Sequence, residues 1–546
     1  MYLIHRIIAG RKRALPPTDD GKILFMSATE LAEKIRNREL RCEDVIRSYY
    51  KRAQEVQPII NAITDARYES ALKEAKQIDT FLEKDSKSPE EIKKRAPLLG
   101  VPFTCKEVLG IEVSLGNNNL TNGITMDNVM IIHVKLTLEL EHMPEVIDLL
   151  AIEICLHQTS GIYAKKNNIA HRDGDAPALY RAAGAIPVTV TNVPELCCTW
   201  ITSNTIYGET KNPYDTTRIS GGSSGGEAAL IASCGAVIGI GTDLGGSIRI
   251  PSSLCGIYGH KPSSGVVSNR GYYPYIEIEE MPFDYMNCTG PMCRYVEDLL
   301  LLMKILCKND PRLDLDRKVD FRRVKIYYME ETPNNPVSPV IKQAIRKAAT
   351  HFEERYGVKA IPLQLPEFEY CVDIFRNKIL EFECSFKIFL QDENGKVRLW
   401  LEVLKYVLGI SKHTAAFLSA SIMEKTEKDQ YYYEILERCD SLKRKLQKLL
   451  QEDAIFLLPS VTDIATFCNM SLTKIMNYIY TTVINSLYLP ATSVPAGLHN
   501  GLPIAFQVIS GQFNDRLTIA AAVELNTVFG GWKNPCSTTA RKVWGE

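Results

Sequence analysis

The sequence predicts an α/β fold in which a mixed, mostly parallel sheet is sandwiched by helices. Three observations carry that prediction. Apolar, β-branched runs such as AIPVTVTNV (185–193) and VIGIGTDL (237–244) read as strands buried on both faces. Amphipathic stretches with helical spacing fall between runs of this kind, as in a succession of βαβ units. The composition, 45% hydrophobic and 24% charged over 546 residues, is ordinary for a globular chain.

The elements follow in chain order. Residues 1–26 read as a tail. Its MYLIHRIIAGRKR start has about eight apolar residues, short of the roughly twenty that a bilayer span takes. The start is also too short and too late-charged for a secretory signal, so an intracellular chain is expected, cytoplasmic or peripheral on an internal membrane. Apolar residues followed by Arg11, Lys12 and Arg13 leave membrane-surface contact open beside a frayed tail. From Ser27, SATELAEKIRN opens with capping-box spacing, Ser27 to Glu30, and apolar residues recur at helical intervals to residue 55. A helix over 67–84 follows. PLLGVPF (97–103) is a strand or buried turn that delivers TCKE inward. HVKLTLELEH (133–142) alternates cleanly and reads as a strand. DAPALYRAAGA is a helix with Asp175 as N-cap and Pro177 in its first turn. A helix over 226–234 precedes the 237–244 strand. KIYYME (325–330), AIFLLP (454–459), LPATSVPAG (489–497) and LPIAFQVIS (502–510) supply more strands, with charged helices over 339–356 and 426–452. Residues 400–425 carry Trp400, Val403, Leu404, Val407 and Leu408 on one helical face, then Phe417, Leu418 and Ile422. That pattern fits a helix pair packed on the core, or an exposed apolar cap that meets lipid.

Charge and cysteine usage exclude several classes. Sixty-four Lys and Arg balance sixty-five Asp and Glu, and no basic stripe interleaves with aromatics, so nucleic acid is not an expected partner. Fifteen cysteines without framework spacing or a CxxC suit reduced thiols, each a small buried hydrophobe. No HExxH or other metal-ligand spacing is present.

Two glycine-serine nests remain for chemistry. Residues 221–227, GGSSGGE, match G-x-S-x-G at Gly221, Ser223 and Gly225, yet the preceding KNPYDTTRIS is polar and is no nucleophile-elbow strand. The same run lacks the lysine of a phosphate-binding loop. The second nest, TDLGGSIR (242–249), follows a buried strand. Its glycines let backbone N–H groups converge beside Ser247, a nucleophile with ready-made donors. A serine needs a base. His260 in GHKPSS reads as structural. Lys106, at the end of an apolar run, becomes a base if burial keeps it neutral, although Glu107 or another carboxylate offers a plain ion-pair reading.

In order along the chain, GVPFTCKE (100–107), GGSSGGEAALIASCGAVIGIGTDLGGSIRIPSS (221–253) and GHKPSSG (259–265) resemble the amidase signature family of serine hydrolases. Weaker similarity runs through TNVPELC, TGPMCRYVEDL, GLPIAFQVISG and FNDRLTIAAA, and leans to the fatty-acid amide hydrolase 2-type branch. The resemblance implies a large twisted mixed β-sheet between layers of α-helices, and one amidase domain over 27–540. It implies a Ser-Ser-Lys triad with Lys106 as base, Ser223 as bridging serine and Ser247 as nucleophile. Backbone N–H groups of Leu244, Gly245, Gly246 and Ser247 would hold the oxyanion. The substrate would be a small lipid amide, with no cofactor and no metal. Oligomeric state and substrate-binding residues stay open. A general small-amide amidase, the amidase component of a tRNA-dependent amidotransferase, and a catalytically impaired homologue are the competing functions.

One stretch departs from the pattern. Lys106 and Ser223 are 117 residues apart, more than the family usually spends there. The excess falls at about 114–156. A surface insertion is tolerable, because loop length costs little entropy. The preferred reading is a gene-model artefact such as retained intronic sequence.

Overall fold

The structure is a computed structural model that describes residues 11–18, 23–84, 87–111, 156–274, 282–382, 387, 390, 398–424, 427–451, 453–468 and 479–536. The expected strand at 133–142 and all but the last residue of the 114–156 stretch lie outside these residues, as does the start of the N-terminal tail.

The described strands, in chain order, are β1 (Ile63–Ala66), β2 (Pro102–Lys106), β3 (Ile186–Thr191), β4 (Ser203–Asn204), β5 (Gly208–Glu209), β6 (Ile238–Asp243), β7 (Tyr258–Lys261), β8 (Cys288–Cys293), β9 (Lys325–Tyr328), β10 (Ala360–Pro362), β11 (Ala454–Pro459), β12 (Ala491–His499) and β13 (Leu502–Ser510). β4 and β5 make a separate small hairpin. The other eleven form the main sheet among the described residues, in the spatial order β1-β3-β2-β6-β8-β7-β12-β13-β11-β9-β10. Six of the interior strands, β2, β3, β6, β7, β8 and β11, are buried at every residue, as apolar runs covered on both faces require.

The sheet is mixed, but it is not mostly parallel. β2 is parallel to β3 and β6, and β9 to β10 and β11. The other six ladders are antiparallel. Part of the reason is local. Asn500 and Gly501 both take positive φ (51° and 75°), the backbone of a tight hairpin turn, so β12 and β13 fold straight back on each other.

The helices follow the sequence pattern with two corrections. The pattern over 27–55 resolves into two helices, Ala28–Arg36 and Cys42–Ile60. Ser27 Oγ accepts the Glu30 N–H at 3.1 Å and opens the first, while the Asp79 carboxylate takes the Cys42 and Glu43 N–H groups and opens the second. Asp175 is not an N-cap: Gly174 occupies that position, Asp175 is the first helical residue, and its carboxylate accepts from Ser268 Oγ at 2.6 Å. The Pro339–Tyr356 and Gln430–Leu450 helices lie where expected.

One consequence of topology builds the site. β2 and β6 are parallel neighbours, so Lys106 at the end of one and Thr242 and Asp243 at the end of the other emerge on the same side. Carboxyl ends of parallel strands are where α/β sheets place their chemistry.

Candidate active site

Lys106 is buried, with 1% of its surface exposed. Its Nζ lies 2.6 Å from Ser223 Oγ and 2.7 Å from Thr242 Oγ1. The ion-pair reading with Glu107 fails, because that carboxylate faces elsewhere and accepts the N–H groups of Thr159 (2.6 Å) and Ser160 (2.7 Å). Burial lowers the Lys106 pKa from the ordinary 10.5, and the nearby Cys197 and Asp243 oppose that shift. Burial also pushes Glu107 and Glu227 up to about 8, in Glu227 against hydrogen bonds from Thr104 (2.6 Å) and Thr191 (2.8 Å). Each is therefore harder to ionise than an exposed carboxyl, which weakens the pull of either on an ammonium at Lys106.

The two nests meet. The Ser224 N–H donates to the Ser247 carbonyl at 3.1 Å, which fastens the 221–226 loop to the 243–249 loop. Gly221 has φ of 84° and a Cβ there would sit 2.8 Å from Pro251 Cα, so only glycine fits the approach. Gly246 has φ of 121°, and a Cβ there would collide with the Thr481 side chain. Ser247 itself is half-buried, while Lys106 and Ser223 lie beneath the surface.

A buried ion pair braces the 243–249 loop that carries Ser247. The Asp243 carboxylate accepts from Arg249 Nε and Nη2, both at 3.0 Å, and from the Gly246 (2.6 Å) and Ile248 (3.1 Å) N–H groups. Arg249 reaches on to Gln507 Oε1 (2.8 Å) and the Thr481 carbonyl (3.0 Å). Burial alone would raise Asp243, but the Arg249 guanidinium outweighs it and holds the carboxyl well below the usual range. Of the four N–H groups expected at an oxyanion, that of Gly246 is therefore already given to Asp243.

Comparison with known proteins supports what the geometry implies. The family model described as Amidase matches residues 148–519. Fatty-acid amide hydrolase 2-A of Danio rerio is 35% identical over 541 residues, 96% of this chain and 93% of that protein. The chain belongs to the amidase family. Fatty-acid amide hydrolase 2 of Homo sapiens is 34% identical over 94% of this chain and 91% of that protein. A solved structure of a fatty acid amide hydrolase superposes with a TM-score of 0.69 over 95% of this chain and 87% of that one, at 19% identity, which speaks for the fold. This amidase is an amide-hydrolysing enzyme with a large mixed α/β sheet.

Sequence reasoning missed several residues of the amidase site. Thr242 is a direct partner of Lys106, hidden because a threonine at a strand end is unremarkable. Asp243 and Arg249 were visible as charges set within apolar runs, the signal that finds buried pairs. Cys197 is not a plain buried hydrophobe: burial raises the pKa of its half-buried thiol, and the nearby Lys106 opposes that shift. An apolar wall stands beside the 243–249 loop, where Phe283, Met286 and Phe382 pack with Leu244, Tyr272 and Phe375. His260 is structural, buried between Thr492 Oγ1 (2.9 Å) and Asp515 Oδ1 (3.1 Å).

Proposed function

We propose that this amidase cleaves fatty-acid amides through an acyl-enzyme on Ser247, with Ser223 relaying the proton to neutral Lys106. The observation that carries this reading is the Lys106–Ser223 contact at 2.6 Å, made by a lysine whose pKa burial lowers. Lys106 takes the Ser247 proton through Ser223, Ser247 attacks the carbonyl, and the Leu244, Gly245 and Ser247 N–H groups are the donors for the oxyanion. The proton returns to the leaving nitrogen, and water then releases the acid. The apolar wall at Phe283 and Phe375 offers an acyl chain a dry path to Leu244. Relatives named fatty-acid amide hydrolase 2 match at 34–35% identity, which favours the lipid substrate. A component of the glutamyl-tRNA(Gln) amidotransferase of Carboxydothermus hydrogenoformans matches at 26%. The division into a tail (1–26) and one amidase domain (27–540), with 114–156 as added sequence, belongs to the same reading.

Peripheral membrane contact is part of the proposal. Among the described residues no helix is long and apolar enough to cross a membrane. The Leu399–Val407 and Ala415–Met423 helices pack on each other and, with the connection between them, turn Trp400 (69%), Val407 (75%) and Ile410 (65%) outward. Beside them Lys165, Lys166 and Lys412 line a surface pocket of about 520 Å³. Apolar side chains rimmed by lysines fit an anionic bilayer surface.

A fluorophosphonate probe, mapped by mass spectrometry, tests the chemistry. The adduct is expected on Ser247 and lost in Lys106→Ala; an adduct elsewhere overturns the triad. An oleoyl amide is expected to exceed an acetyl amide in kcat/KM, and the reverse order supports a small-amide amidase.

A further inference from the structure

Hydrogen bonds, linked through the Glu195–Leu196 and Lys106–Glu107 peptide bonds, run through the interior from the exposed helix pair to the residue after the catalytic lysine. The run starts one residue from Lys106, where Glu107 accepts the Thr159 (2.6 Å) and Ser160 (2.7 Å) N–H groups. The Ser160 carbonyl accepts the Leu196 N–H at 2.7 Å. The neighbouring Glu195 carboxylate lies 2.6 Å from His413 Nδ1, and accepts the Thr414 N–H (2.8 Å) and hydroxyl (3.1 Å). Thr414 in turn caps the Ala415–Met423 helix, its Oγ1 accepting the Phe417 N–H at 3.2 Å. Glu107, Thr159, Ser160 and Glu195 are each at most 1% exposed. The 195–198 loop thus faces two ways. Leu196 and Cys198 pack under Phe417 and Leu418, while Cys197 between them sits at the catalytic centre.

We infer that Glu195 and His413 are positioning residues through which a bilayer loading the outer helix pair sets the geometry at Lys106. Groups this buried do not give up their bonds to absorb a displacement, since each orphaned polar group costs about 1–3 kcal/mol. The His413 ring, stacked on Phe417 at 5.3 Å, moves with the helix it precedes. A shift of that helix therefore drags Glu195, and with it the Leu196–Ser160–Glu107 bonds. Coupling between separated sites travels through contiguous packed and hydrogen-bonded elements of this kind. The inference rests on the reading that the outer helices meet lipid.

The test compares hydrolysis of a short, water-soluble anilide with and without phosphatidylcholine–phosphatidylserine vesicles, with vesicle binding measured separately by sedimentation. Wild-type kcat/KM is expected to rise about fivefold or more on the vesicles, the lower end of ordinary coupling between sites. His413→Ala is expected to sediment as wild type yet show little rise, and His413→Asn, which keeps an N–H near the Nδ1 position, to restore it. A purely structural role would lower both rates and keep their ratio. If His413→Ala yields no folded protein, Thr414→Val goes through the same comparison. Wild type that sediments without stimulation, or a His413→Ala variant stimulated as strongly as wild type, overturns the coupling alone. Wild type that fails to sediment overturns the lipid reading and the coupling with it.

Discussion

The catalytic centre and the outer helix pair break the usual partition of residues in opposite directions. At the centre, Lys106, Asp243 and Arg249 are charged or chargeable groups with at most 1% of their surface exposed. On the helix pair, Trp400, Val407, Leu408 and Ile410 are apolar and mostly exposed. Each arrangement costs stability relative to the ordinary one, and such costs collect where function needs them. The two differ in how the cost is offset. The centre satisfies its charges internally, through the Asp243–Arg249 bonds and the partners of Lys106. The helix pair buries Phe417 and Leu418 against Leu196 and Cys198 but leaves these four side chains uncovered.

The largest expected effect tests the first half of that contrast. Ser247→Ala should lower single-turnover amide hydrolysis by about 10⁴-fold or more, as loss of a serine nucleophile does. Lys106→Ala should follow at about 10²–10⁴-fold, the range of a general base. Near-wild-type turnover in either variant would remove the centre from the comparison.

Stability separates the two regions next. Asp243→Asn leaves the Arg249 guanidinium buried beside a neutral amide, and should cost about 3–5 kcal/mol by urea denaturation. Val407→Ser, on an exposed face, should fall within about 0.5 kcal/mol of wild type. If the two substitutions cost the same, the exposure contrast carries no energetic weight. The same Val407→Ser variant should weaken vesicle partitioning by roughly tenfold, given about 1.5 kcal/mol or more for burying a valine side chain. Unchanged partitioning would say that lipid does not cover this face.

The two regions were also unequally legible in the sequence. The centre announced itself through local order: a strand ending in Lys106, glycines where Gly221 and Gly246 need positive φ, and serines beside them. Local order is what a sequence displays. The braces were less legible, because Arg249 reaches Gln507 across 258 positions, a contact with no local signature. The mixed character of the sheet was readable but its antiparallel middle was not, even though Asn500-Gly501 marked one hairpin. On the helix pair, periodicity named the apolar face and left its direction open. A helical stripe looks the same whether it meets a core or a bilayer; here Phe417 and Leu418 pack under Leu196 while Trp400 and Val407 stay exposed.

The smallest expected effect probes how the centre keeps its lysine ready. As the proposed base, Lys106 must be neutral to work, so kcat/KM should fall as pH drops through its pKa. Burial lowers that pKa, so the midpoint of the limb should lie below the ordinary lysine value of 10.5, and Lys106→Ala should lack the limb. Thr242 acts against burial. Its Oγ1 accepts from Nζ at 2.7 Å, a bond that favours the ammonium. Thr242→Val should therefore move the limb to still lower pH, by no more than the worth of one hydrogen bond, about 1 kcal/mol or roughly fivefold in the proton equilibrium. A shift to higher pH would mean that Thr242 holds the neutral amine instead. The lysine would then owe its readiness to its partners rather than to its burial.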